Sequence, residues 1–330
     1  MISDIQAFVR GMPLRFYLSG GLFSRQEPMI SFHVGENEIE ALVSYKRKPI
    51  GFEDELHRDP DAPPTMSYGQ PYKPTANGRK VSAKLASRYH VPQRCQHLFV
   101  VDAPADEVFL NLFTLEKLRR RNVEEALADL RQAPGQILSG WSRNDFRWQI
   151  LDASLRLSGN PKANSEDPIL VMGLSESVCL PLEVWSDDQG AALVGILPLP
   201  VAVLAWCNAV LPTDQKHSII LVAGETGVVV GIIKERKLTN LLKVQTIEDA
   251  LANVRRNAEE FALEDPAMYL WYSKPPTISD DELTQEGLTI IDQEHLRATL
   301  GTPLVLMQST GKRTSHDGPI PHLLNWLAKQ

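Results

Sequence analysis

The stretch "SIILVAGETGVVVGIIKERK", residues 218–237, decides the reading of the fold. One apolar run ends at Gly224-Glu225-Thr226-Gly227, a second follows, and Lys234-Glu235-Arg236-Lys237 closes it with charge. Two runs rich in β-branched residues around a glycine-bounded turn predict a β-hairpin, because branched side chains pack well on a pleated surface and glycine admits the angles of a tight turn. Such a turn presents successive backbone N–H groups, a concavity suited to phosphate.

An earlier stretch, "ISFHVGENEIEALVSYKRK" at 30–48, matches it without a gap at an offset of 189, the distance from Gly35 to Gly224. Ile30/Ile219, Gly35/Gly224, Glu36/Glu225, Arg47/Arg236 and Lys48/Lys237 are identical, with turns expected at Gly35-Glu36-Asn37 and Lys46-Arg47-Lys48. Each hairpin opens one half of the chain, which predicts duplicated domains. Between and after them, strands and helices alternate, which makes the class α/β. Helices are expected at Ser3–Met12, at "VSAKLASRYH", after "DEVFLNLF", at "TIEDALANVRRNAEEFALE" with Thr246 as N-cap, and at "DELTQEG". Strands are expected at "HLFVVDAP", "GQILSGWS", "FRWQILDAS", "PILVMGLS", "AMYLWYSKP" and "LTIID". Residues 51–80, rich in Pro, Asp and Gly, read as a surface excursion.

The 330 residues suffice for two cores, and 43% apolar with 23% charged residues is ordinary globular usage. With net charge −7 and pI near 5.7, no global field draws in nucleic acid or an anionic membrane. Cys95, Cys179 and Cys207 are sparse, odd in number and without CxxC spacing, which favours a reducing compartment. Asp4, Arg10 and Arg15 interrupt the first apolar stretch, so it does not read as a signal peptide, and the expected location is cytoplasmic. "AALVGILPLPVAVLAWCNAVL", 191–211, has the length of a membrane span, but Pro198 and Pro200 divide it into a buried strand and a Pro-led core helix.

The two hairpins and their setting resemble the actin-like ATPase superfamily, and within it the PilM and GspL proteins of type IV pilus and type II secretion platforms. "HLFVVDAPADEVFLNLFTLEKL" resembles that family's strand and corner, "ILVMGLSESVCLPLEVW" its next strand, and "ILPLPVAVLAW" its strand and Pro-led helix before the second hairpin. The resemblance implies an actin-like (ribonuclease H-like) duplicated fold, each domain opening with a β-hairpin of a mixed sheet. The expected division is an extension at 1–27, a first domain with an inserted subdomain at 28–213, a second domain at 214–308, and a tail at 309–330.

In that family the phosphate turns are Gly35-Glu36-Asn37 and Gly224-Glu225-Thr226, and an Asp stands two residues before each turn glycine. Here those positions hold His33 and Val222. Thr226 is the one suitable hydroxyl, two glutamates face where phosphate would sit, and Ser273-Lys274-Pro275 replaces the family's adenine-site glycines. The expectation is a non-catalytic adaptor without cofactor, peripheral to the inner membrane. Its partners would be the short cytoplasmic tail of a single-span pilus or secretion protein and an assembly ATPase, with no nucleic acid. The alternative is an active member binding ATP and magnesium, with Glu36 or Glu225 in the missing aspartates' role. An unrelated α/β hydrolase is a third reading, disfavoured because no nucleophile elbow is present.

Other constellations carry bland readings. His90, Cys95 and His97 have no fourth metal ligand nearby. "STGKRTS" at 309–315 departs from a phosphate-loop ending and reads as a basic loop, and Ser315-His316-Asp317 is not triad geometry. Lys117, Arg119, Arg120 and Arg121 read as a solvated helix face.

Overall fold

The computed structural model describes residues 27–59, 61–65, 80–139, 141–157, 161, 163–210, 217–225, 227–256, 266–273, 288–291, 304–307, 313–316 and 319–330. The first hairpin is β1 (Met29–Val34) and β2 (Ile39–Tyr45), continued by β3 (Lys48–Glu53). Helix α1 (Val81–Arg88) leads to β4 (Gln96–Val101) and β5 (Val108–Thr114). Then come α2 (Val123–Gln132), the single turn α3 (Pro134–Ile137), β6 (Phe146–Asp152), β7 (Pro168–Ser175) and α4 (Glu176–Asp188). Strand β8 (Ala192–Pro198) and α5 (Leu199–Val210) precede the second hairpin, β9 (His217–Gly224) and β10 (Gly227–Lys234), continued by β11 (Lys237–Val244). The chain ends with α6 (Ile247–Arg256), β12 (Ala267–Tyr272), β13 (Leu288–Ile290), β14 (Leu304–Met307), β15 (Arg313–His316) and α7 (Pro319–Leu327).

Three sheets form among the described residues: β15-β14-β3-β2-β1-β4-β8, β11-β10-β9-β12-β13, and β5-β7-β6. The two larger sheets open alike, with an antiparallel hairpin joined to a third antiparallel strand and a parallel neighbour on the other side of the first strand (β4 beside β1, β12 beside β9). The likeness extends to irregularities. Lys46 and Arg47 (φ 51° and 62°) have counterparts in Glu235 and Arg236 (φ 47° and 65°), and the register shifts between Val43 and Ser44 in one unit and between Ile232 and Ile233 in the other. All four pairs are 189 residues apart, so the offset read from five identities also aligns the turns and the bulges.

The 191–211 block divides as its prolines predict. Strand β8 runs through Pro198, Pro200 lies in the first turn of α5, and the run from Val194 to Asn208 is buried. At 12 residues, α5 is shorter than the roughly 20 residues a span requires, and no helix among the described residues is long and apolar enough to cross a membrane. Instead α5 packs against β4 and β8 of one sheet and β9 and β10 of the other. Gly231 admits this approach, because a Cβ there would lie 2.5 Å from Leu204 Cδ2. The thiols of Cys95, Cys179 and Cys207 are free and buried; burial raises the pKa of each, that of Cys95 to about 11.

Three expectations are corrected. "GQILSGWS" is no strand: Pro134 starts the helical turn α3, and Trp141 folds back edge-on against Phe109 and Phe146, each at 5.0 Å. "ILVMGLSESVCLPLEVW" leaves its strand at Ser175 and continues as α4. The Lys117–Arg121 cluster lies in the turn before α2. There Arg119 is left-handed at φ 55°, and Arg120 pairs with Asp129. Later in the chain, β14, β15 and α7 return to the first sheet, with β14 pairing beside β3 and α7 packing on β1 and β2.

Thr246 caps α6 as expected, its Oγ1 accepting the Asp249 N–H at 3.1 Å. The helices expected at 3–12 and 281–287, the later part of the one begun by α6, residues 66–79 of the 51–80 excursion and residues 309–312 lie outside the described residues.

Candidate functional site

The ends of β1 and β4 and the turn between β9 and β10 meet at Asp102, the residue that follows β4. Parallel pairing sets Val34 beside Val101. The next amide, Asp102 N–H, donates to Val34 O at 2.9 Å, which fixes the Asp102 backbone against the end of the first hairpin. Its side chain crosses to the second hairpin. Oδ1 accepts the Glu225 N–H at 2.9 Å, and Oδ2 accepts the Ser273 hydroxyl at 2.7 Å. Ser273 is held in turn by its own N–H, which donates to Ala223 O at 3.0 Å and extends the pairing of β12 with β9.

Asp102 is only 2% exposed. Burial raises the pKa of its carboxyl, while the Ser273 hydroxyl, the Glu225 N–H and the nearby His33 oppose the rise; burial outweighs them. Gly224 makes the approach feasible, since a Cβ there would stand 2.6 Å from Oδ1 and 2.9 Å from Oδ2. A glycine of this kind normally lets a ligand approach the backbone; here the approaching group belongs to the chain itself.

The six residues expected in the two phosphate turns divide. In the first turn, Gly35 N–H donates to Glu38 O at 2.9 Å and closes the loop on itself, and Glu36 and Asn37 stand at its exposed tip. In the second, Gly224 and Glu225 surround the Asp102 carboxyl. Thr226 lies outside the described residues. The two hairpins are therefore brought together, with Asp102 between them, although Glu36 and Glu225 do not form a shared carboxylate site with it. Among the described residues no group of His, Cys, Asp and Glu is arranged to hold a metal ion.

At the positions where the resemblance places aspartates, His33 is buried with Nδ1 3.0 Å from Glu40 Oε2, and Val222 is fully buried core. Nε2 of His33 has no hydrogen-bond partner among the described residues. The suggested metal trio does not assemble either. His90 is exposed, whereas His97 lies buried between the hydroxyls of Ser82 (2.8 Å) and Ser186 (3.0 Å), stacked on Trp185. Burial lowers the pKa of His97 to about 3, so it stays neutral.

Further contacts join the halves around this centre. Lys243 of β11 donates to Ala105 O at 3.3 Å and Val108 O at 3.2 Å, gripping the segment that begins with Asp102. Leu238 N–H donates to Ala153 O at 2.7 Å, and Asn208 Nδ2 donates to Ser154 O and Arg236 O, each at 3.1 Å. Asp102 and Lys243 went unread in the sequence. The available signal was a carboxylate directly after the buried run "LFVV", at the carboxyl end of a parallel strand, where α/β folds place their ligands.

Over 92% of this chain and 99% of the other, the structure superposes on one from a PilM–PilN type IV pilus biogenesis complex, with TM-score 0.58 and 10% identity. The fold is actin-like. A Bacteroides thetaiotaomicron protein of actin-like ATPase fold aligns over 87% of this chain and 94% of its own, with TM-score 0.43 and 9% identity. The cytoplasmic domain of EpsL, an inner-membrane component of the Vibrio cholerae type II secretion system, aligns over 79% and 94%, with TM-score 0.39 and 13% identity. No protein-family model and no curated protein matches the chain. The actin-like fold expected from the paired hairpins is the fold observed, and the second turn holds an internal carboxyl group.

Proposed function

We propose that the protein is a non-catalytic actin-like adaptor, peripheral to the cytoplasmic face of the inner membrane in a type IV pilus or type II secretion-like platform. It binds the short cytoplasmic segment of a single-span membrane partner, and an assembly ATPase is its second partner. The observation that carries this reading is the second turn. A nucleotide phosphate would need the Glu225 N–H that Asp102 accepts, and positions 33 and 222 hold a His–Glu pair and a core valine in place of carboxylates. The fold match to a chain from a PilM–PilN complex supports the choice of platform. Peptide capture would use apolar anchors together with backbone pairing.

Asp102 is also a carboxyl group at the second turn, which favours one second reading: an ATP-binding member in which Asp102 swings away to meet magnesium, with Glu36 or Glu225 assisting. The adaptor reading is tested by passing solubilised inner membranes over the immobilised full-length chain and titrating the tail of any retained single-span protein as a synthetic peptide. Saturable binding of that peptide is the expected result. Retention of soluble metabolic proteins alone would sink the adaptor.

A further inference from the structure

The geometry points to Asp102 as an internal ligand of the second turn, a carboxyl latch that fills the place of a phosphate and holds the two halves of the molecule together. This rests on the reading that the cleft performs no nucleotide chemistry.

Three observations converge on it. The carboxyl satisfies donors from two elements of the second half, the Glu225 N–H and the Ser273 hydroxyl, while its own backbone N–H is bonded to Val34 of the first. One residue therefore ties β1, the β9–β10 turn and the end of β12. Gly224 lacks a side chain where a Cβ would meet both carboxyl oxygens. Lys243 grips the same segment again through the carbonyls of Ala105 and Val108, so residues 102–108 form a strap fastened at both ends. The half-buried Glu225 N–H is already engaged by Asp102; an anion taking that donor must displace Asp102, leaving a buried carboxyl without its partners. Phosphate binding and latch closure are thus mutually exclusive, and removing the carboxyl empties a site of suitable chemistry, a backbone N–H beside a hydroxyl.

The test uses the full-length chain as wild type, Asp102→Ala, Asp102→Asn and Gly224→Ala, each checked for native circular dichroism. Amide hydrogen exchange is read at Glu225, and inorganic phosphate is titrated by calorimetry. Asp102→Ala is expected to speed exchange at Glu225 by roughly tenfold or more, as local opening loses its hydrogen bond, and to gain saturable phosphate binding that the wild type lacks. Asp102→Asn keeps an acceptor oxygen and most of the protection. Gly224→Ala pushes the carboxyl out from the other side and accelerates the same amide, so the idea stays testable if Asp102→Ala fails to fold. Unchanged exchange at Glu225 in both alanine variants would overturn the latch. Faster exchange without phosphate binding in Asp102→Ala, or equal phosphate binding by the wild type, would overturn the claim that the carboxyl stands in the phosphate's place. None of these outcomes bears on partner-peptide affinity, so failure of the latch and failure of the adaptor remain distinguishable.

Discussion

At the scale of single residues, the two buried ionisable groups at the ends of β4 work in opposite directions. His97 is held neutral by burial, with a pKa of about 3 against 6.5 in an ordinary setting. Between those values the unfolded chain binds a proton that the native chain refuses, so stability rises with pH across this window and is lost as pH falls from about 6.5 towards about 3. The expected result is a urea midpoint that falls on acidification while the His97 ring signals in NMR stay flat to below pH ~4; native titration near the ordinary value would refute it. Asp102 carries the reverse sign. Its native pKa is raised by burial, so its contribution to stability declines as pH rises from the ordinary carboxylate value through the raised one. The titratable groups that bear on it are His33 and Glu225. Asp102→Asn is expected to flatten that decline in denaturation measured across pH, and an unaltered slope would count against it. None of this was legible at Asp102, because its partners lie 123 and 171 residues further along the chain. The absences at positions 33 and 222 were legible, since they needed only the local frame of each hairpin.

At the scale of elements, the hairpins were readable because their apolar runs, glycine turns and charged turns all specify one structure, and β9 and β10 are buried as those runs demand. The left-handed turns give this a test. Arg47 and Arg236 have equivalent positive φ angles, and a non-glycine residue there costs about 1 kcal/mol. Arg47 is exposed, so Arg47→Gly is expected to stabilise by a few tenths to ~1 kcal/mol, part of the relief being offset by the freer unfolded chain. Arg236 also donates to Asn208 O, so Arg236→Gly is expected to destabilise. Paired urea melts check the difference in sign; stabilisation by both changes would show that the Arg236 bond to Asn208 O does not outweigh the left-handed backbone. "GQILSGWS" misled because a short apolar run with a glycine fits a strand or a packed turn equally well. Pro134 and the folding back of Trp141 decide it, and the latter depends on a sheet formed by distant strands.

At the scale of the whole molecule, Lys243 is prominent among the polar contacts that join the halves within the described residues. Burial lowers its pKa, partly offset by Asp106, and its bonds to Ala105 and Val108 hold the strap. Lys243→Met keeps the stem and removes those bonds. It is expected to cost about 1–3 kcal/mol and to raise hydrogen exchange in residues 102–108, and unchanged exchange there would show that the strap is held elsewhere. The return of β14, β15 and α7 to the first sheet was beyond local pattern, because which sheet a late strand joins is set by the whole topology. The same topology places the Asp102 carboxyl in the turn that the resemblance to actin-like ATPases assigns to phosphate. Calorimetric titration of the wild-type protein with magnesium-ATP tests this most directly. No saturable heat at millimolar nucleotide is the expected result, and saturable binding that weakens in Glu225→Ala or Gly224→Val would contradict the non-catalytic reading of the cleft.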